Sequence, residues 1–292
     1  MTMDPPAAPL TAGLDGSPAS LAAAHWAAAE ARRRGLGLRL LHAWVLHVPA
    51  PAGTPPEKDR DHWARRILDA ARTEVLDRFP GLEVTGDLVA EEPADALLAA
   101  AGRSTALVLG SRGLDRLQSF FLGDTGLHVA GRGECPVVLV RSDTPSDDRT
   151  GGGCVVAGIS LDRPCPGLLD FAFATAAARG VPLRLVHGSP LPVQAYAPWG
   201  VDPDIAREIA DDADRELTEL LRRRRQLHPG VDVAHVVRPE SPAKAVVHAA
   251  EDAALVVVGR RRHRPALVPR LGAVAQACIH HAPCPVAVVP HD

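Results

Sequence analysis

Short apolar runs alternate with longer, alanine-rich amphipathic stretches along almost the whole of this 292-residue chain. In the first half, residues 10–14 read as a strand, 18–34 as a helix closed by Gly35, and 38–48 as a stretch containing a second strand. A helix follows over 59–79, with Trp63, Ile67, Ala70, Ala71 and Val75 spaced as a core-facing stripe. Then come a strand over 82–89, a helix over 93–102, a strand over 106–109, a helix over 123–133 and a strand over 136–140. The second half repeats this order. Strands over 154–159, 183–186, 232–237, 255–258 and 286–289 alternate with helices over 166–179, 204–227, 242–253 and 272–281. Unbroken apolar runs suit strands covered on both faces, and βα alternation predicts a parallel, right-handed, doubly wound sheet.

The two halves match each other. A shift of 149 residues takes Gly110 onto Gly259, Gly123 onto Gly272 and Cys135-Pro136-Val137 onto Cys284-Pro285-Val286. Nearer each start the shift is 145, taking Gly13 onto Gly158, Gly35 onto Gly180 and Leu40-Leu41-His42 onto Leu185-Val186-His187. Repeats this long are tandem domains, since solenoid periods run about 20–50 residues. Residues 142–153, SDTPSDDRTGGG, have no apolar period and read as a linker. The expected organisation is a first domain over 1–141, a linker over 142–153 and a second domain over 154–292. Each domain is expected to be a mostly parallel, five-stranded, Rossmann-like α/β sheet flanked by helices.

Composition narrows the function classes. Aromatics make up only 3% of the chain, so the cores must be aliphatic and alanine-rich. A net charge of −3 argues against a surface that attracts nucleic acid as a whole. The Arg222–Arg225 run closes a helix with an acidic start (Asp211, Asp212, Asp214, Glu216) and reads as solvated charge complementing the helix dipole. The start lacks a basic segment and an apolar core of signal-peptide type, and no apolar run approaches a membrane span. Five cysteines without framework spacing fit free thiols in a reducing compartment, so the expected location is cytoplasmic. Cys278, His280, His281, Cys284 and His291 lack the spacing of a metal site, and none is expected.

In open α/β sheets, ligands sit beyond the C-terminal strand ends, where the strand order reverses. Asp15, Ala43 and Gly110 stand at three such ends. Residues 108–125, VLGSRGLDRLQSFFLGDT, place Gly110, Gly113 and Gly123 between a strand and a helix. Glycine lets a phosphate approach backbone N–H groups, and the helix N-terminus adds positive charge. The spacing is neither GxxxxGKS/T nor GxGxxG, and an ordinary glycine-bearing turn has the same look. Asp15 reads either as a ligand group or as a cap of the next helix, with Ser17 a rival cap. Trp44, Trp63 and Trp199 are candidates for lining a pocket, Trp63 also fitting the helix core face and Trp199 lying in a proline-rich stretch.

GLDGSPAS near the start, LLHAW after the first helix, G-2x-G-9x-G after the fourth strand and CPVVLV at the end resemble the universal stress protein family. Their repetition resembles its tandem, two-domain form, over residues 10–141 and 154–290. In the ATP-binding branch, the resemblance implies that the strand-one aspartate and the backbone after strand two hold the nucleoside, while the glycine loop holds the phosphates. Those roles fall on Asp15, on Ala43, and on Gly110, Arg112, Gly113 and Gly123. The family pattern has Ser or Thr after the third glycine, where this chain has Asp124 and then Thr125. A carboxylate there repels phosphate unless a cation such as Mg²⁺ stands between them.

The second half departs further. Ser160 stands at the place of Asp15, Gly188 at that of Ala43, Arg262 at the second loop glycine and Ala273 at the phosphate-binding hydroxyl. Gly259 and Gly272 are kept. This second site is expected to be degenerate, although Arg260, Arg261, Arg262 and Arg264 could grip phosphate by charge or form an ordinary surface loop. No catalytic triad, nucleophile elbow, paired carboxylates, HxGH or SGGxDS occurs, so an enzyme is not expected. The expected function is a cytoplasmic stress-response regulator that binds ATP, with or without Mg²⁺, in its first domain. Its expected partners are the nucleotide and an unidentified protein, with the last strands pairing the two halves or two copies of the chain. The alternative is a nucleotide-independent scaffold with both sites degenerate.

Overall fold

The structure, a computed structural model, describes residues 7–45, 57–111, 124–142, 153–163, 165–190, 196–197, 200–201, 203–263 and 269–292. The chain divides into two compact units, Met1–Asp148 and Arg149–Asp292.

In the first unit, β1 (Leu10–Leu14), β2 (Leu38–Ala43), β3 (Val84–Val89), β4 (Ala106–Ser111) and β5 (Val137–Arg141) alternate with four helices. These are α1 (Pro18–Arg34), α2 (Glu57–Arg78), α3 (Pro93–Ala101) and α4 (Asp124–Arg132). The strands lie in the order β5-β4-β1-β2-β3, every pair parallel. The order therefore reverses between β1 and β4. Their side chains are buried on both faces, as the unbroken apolar runs require. Helix α1 reaches the sheet closely because the residues it buries include Ala23, Ala24, Ala27, Ala28 and Ala31. It ends at Gly35, whose φ of 63° is a left-handed conformation that glycine adopts without strain.

One expectation is corrected here in part. Trp63 does not face the core: it is 66% exposed, with the Arg66 guanidinium 4.9 Å over its ring. The buried stripe of α2 is Ala64, Leu68, Ala71 and Val75: Ala71 and Val75 hold as expected, and Ala64 and Leu68 take the places of Trp63 and the half-buried Ile67. Strand β2, Leu38–Ala43, lies within the 38–48 stretch expected to contain it.

The second unit repeats the plan with β6 (Cys154–Gly158), β7 (Leu183–Gly188), β10 (Val233–Arg238), β11 (Ala253–Arg261) and β12 (Val286–His291). Its helices are α5 (Pro166–Arg179), α6 (Pro203–Leu227), α7 (Pro242–Ala249) and α8 (Ala273–His281). The parallel order is β10-β7-β6-β11-β12. A two-residue-stranded hairpin, β8 (Tyr196–Ala197) and β9 (Gly200–Val201), is added between β7 and α6. Helix α7 stops at Ala249, so Ala253 belongs to β11 and not to the helix expected over 242–253.

The arginine run at the end of α6 is only partly solvated. Arg222 pairs with Glu219 in solvent, whereas Arg224 reaches Asp170 at 3.3 Å with its side chain mostly covered. Arg112, Gly113, Gly123, Trp199, Arg264 and most of the 142–153 segment lie outside the described residues. No helix among the described residues is long and apolar enough to cross a membrane.

Candidate functional site

The strand order of the first unit reverses between β1 and β4, and a cavity of about 420 Å³ opens at their C-terminal ends. Asp15, Ala43, Gly110 and Thr125 line it, together with Ser17 and Ser20 from the start of α1. The first turn of α4 contributes Gly126 beside Thr125, and Leu41, Leu97 and Leu109 supply apolar wall. Asp15 is the only ionisable side chain among the described residues lining it.

The turn after β1 settles which residue caps α1. Ser17 has extended backbone (φ −81°, ψ 157°), and its Oγ accepts from the Ser20 N–H at 3.2 Å, so Ser17 is the N-cap. Asp15 is exposed; its Oδ1 accepts from the Ser17 N–H at 2.9 Å, and its own N–H donates to Ser20 Oγ at 3.3 Å. The carboxylate thus shapes the turn and also faces the cavity.

Gly110 proves to be a packing glycine. A Cβ there would stand 2.5 Å from the carbonyl carbon and oxygen of Ala19 and 2.6 Å from the Ser20 nitrogen. The space its missing side chain leaves is filled by the backbone of α1, so packing by itself requires glycine here. Gly13 is alike: its Cβ would meet Leu109 Cδ2 at 2.7 Å.

One positioning contact was not foreseen. The His42 imidazole donates through Nδ1 to the Leu14 carbonyl at 2.8 Å, tying the end of β2 to the end of β1. The second unit repeats it, His187 Nδ1 to the Ile159 carbonyl at 3.0 Å. The clue was in the sequence: the histidine is kept in both halves, at the end of the same strand.

The corresponding ends of β6, β7 and β11 surround a cavity of about 500 Å³. Ser160, Gly188, Gly259, Gly272 and Ala273 line it, but Arg262 does not. Gly188 is again close-packed, its Cβ position lying 2.6 Å from Pro242 Cα. Arg260 and Arg261 close β11, Arg260 3% exposed and Arg261 reaching the cavity, whereas Arg262 follows the strand and is exposed, and Arg264 lies outside the described residues.

The universal stress protein family model matches residues 9–141 and again residues 154–290. The chain belongs to the universal stress protein family. A universal stress protein of Mycobacterium tuberculosis (strain H37Rv) is 29% identical over 286 residues, covering 94% of this chain and 95% of the relative. A second from the same strain is 27% identical over 286 residues, covering 94% of both. The crystal structure of a universal stress protein from Archaeoglobus fulgidus superimposes with a TM-score of 0.70 at 18% identity, covering 97% of this chain and 98% of that one. That likeness is one of fold.

Among the described residues, no cysteine or tryptophan lines the first cavity. Burial pushes the Cys135 thiol up to about 11 and the Cys278 thiol up to about 12, so both behave as neutral core side chains. Among the described residues no three His, Cys, Asp or Glu side chains are grouped to hold a metal ion. Trp44 lines a separate groove with Arg65 and Arg72, between α2 and the β3 edge.

Proposed function

We propose that the first unit is an ATP-binding sensor module of a stress-response regulator and not a turnover enzyme. The observation that carries this reading is that Asp15, Ala43, Gly110 and Thr125, from four separate parts of the chain, line one cavity at the switch point of the sheet. The volume, about 420 Å³, lies in the range of small-ligand sites. Asp15 would accept the hydroxyls of the ribose, and the apolar wall of Leu41, Leu97 and Leu109 would face the base. The Thr125 hydroxyl and the first-turn N–H groups of α4 would take the phosphates. Asp124, at the first position of that helix, would require Mg²⁺ between its carboxylate and the phosphates.

The test is competitive displacement of a fluorescent ATP analogue from the nucleotide-stripped chain. Asp15→Ala should weaken ATP by about tenfold, the worth of a lost charged hydrogen bond. Asp15→Asn, which keeps the acceptor for the Ser17 N–H, should weaken it less and leave thermal stability unchanged. Equal affinity in wild type and Asp15→Ala would remove the carboxylate from the site. Failure of the wild type to bind any nucleotide would leave the scaffold reading in its place.

A further inference from the structure

The second unit's cavity is built on different chemistry from the first. Two guanidinium groups line it, Arg163 and Arg261, with two imidazoles, His187 and His291, and one carboxylate, Asp162. Among the described lining residues its charge is therefore cationic, where that of the first cavity is anionic.

The difference begins in the helix behind it. Both α1 and α5 end on a left-handed glycine at matching positions, Gly35 and Gly180, yet α1 has 17 residues and α5 only 14. Helix α5 thus starts almost a turn later. In the first unit the backbone of Ala19 and Ser20 fills the space beside Gly110. Beside Gly259 that space holds the His291 imidazole, with Nε2 2.9 Å and Cδ2 3.0 Å from where a Cβ would stand.

Arg261 and His291 are register partners at the ends of β11 and β12, so their side chains leave the sheet on the same face. The first turn of α8 lies against the same cavity through Gly272, Ala273, Val274 and Ala275. Gly272 gives α8 no side-chain cap, and the first helical bond runs from the Gln276 N–H to the Gly272 carbonyl. The amides of Ala273, Val274 and Ala275 therefore precede the helical hydrogen-bond ladder. Behind them, Arg260 is buried, and burial together with Arg262 and Arg270 holds its guanidinium below the usual arginine range.

We propose that this cavity binds a phosphomonoester on a small apolar body, gripped by Arg261, His291 and the first-turn amides of α8. A guanidinium fork, an imidazole and a helix N-terminus supply donors for the three oxygens of one phosphate group. Leu168, Val186, Val246 and Ala275 supply apolar wall for the body of the ligand. Arg262 stands where the second glycine of the loop would be. This site goes beyond the ATP reading of the first unit and does not depend on it.

Phenyl phosphate is the probe, titrated calorimetrically into the full-length, ligand-stripped chain. One equivalent should bind, and both Arg261→Gln and His291→Gln should weaken it by about tenfold or more. Arg261 is exposed, so its replacement leaves the fold intact. Asp15→Ala should not alter phenyl phosphate affinity, because that residue lies in the first cavity. Absence of binding, or affinity unchanged in both second-unit variants, would overturn the proposal. Loss of binding in Asp15→Ala alone would also overturn it, by placing the phosphate ester in the first cavity.

Discussion

At the scale of single residues, glycine at the end of β4 illustrates how one residue type answers two different demands. Gly110 lines the first cavity, but its missing Cβ is required by the α1 backbone 2.5 Å away. Backbone cannot rotate aside as a flexible side chain can. Gly110→Ala should therefore destabilise the protein by about 1–3 kcal/mol, the usual range for overpacking. Gly167, near the start of α5 with nothing within 4 Å of its Cβ position, is the control. Gly167→Ala should be neutral or slightly stabilising, since alanine is the better helix former. Urea unfolding midpoints of the two variants decide this, and equal midpoints would refute the packing role. The position of Gly110 was legible in the sequence through its repetition at Gly259. Its purpose was not, because the partner atoms belong to a helix some ninety residues earlier (Ala19 against Gly110). Asp15 and Ser17 show the converse. Local turn chemistry named both as cap candidates, and only the hydrogen bond from the Ser20 N–H to Ser17 Oγ distinguishes them.

At the scale of elements, the order of strands and helices follows from the apolar runs, and most boundaries moved by only one or two residues. Helix α1 has its signals at both ends, Ser17 and Pro18 at the start and Gly35 at the finish. Ser17→Ala should cost about 1 kcal/mol, the usual worth of an N-cap. It should also loosen the Asp15 turn, and so weaken ATP while lowering the melting temperature. A full-strength cap effect on stability without any effect on ATP would separate the helix end from the site. The face of α2 was legible at Ala71 and Val75, and was misread at its start, where Ala64 and Leu68 are buried instead of Trp63 and Ile67. Exposed Trp63 is held by a cation–π contact with Arg66, a neighbour that hydropathy does not weigh.

At the scale of the whole chain, a duplication has produced two units of one topology with cavities at equivalent strand ends. The duplication was visible as two constant shifts, with matching glycines and the repeated Cys-Pro-Val. The divergence of the second cavity was visible only in part. Ser160 and Arg262 signalled the loss of a nucleotide pattern, but the late start of α5 and the imidazole of His291 over Gly259 arise from three-dimensional packing. The account holds that nucleotide binding resides in the first unit alone. Calorimetric titration of the nucleotide-stripped full-length chain with ATP and Mg²⁺, beside a Gly113→Glu variant whose bulk would fill the glycine loop, tests this most directly. The account predicts one equivalent of ATP per chain, abolished in the variant. Two equivalents, or one equivalent retained in a folded Gly113→Glu chain, would contradict it.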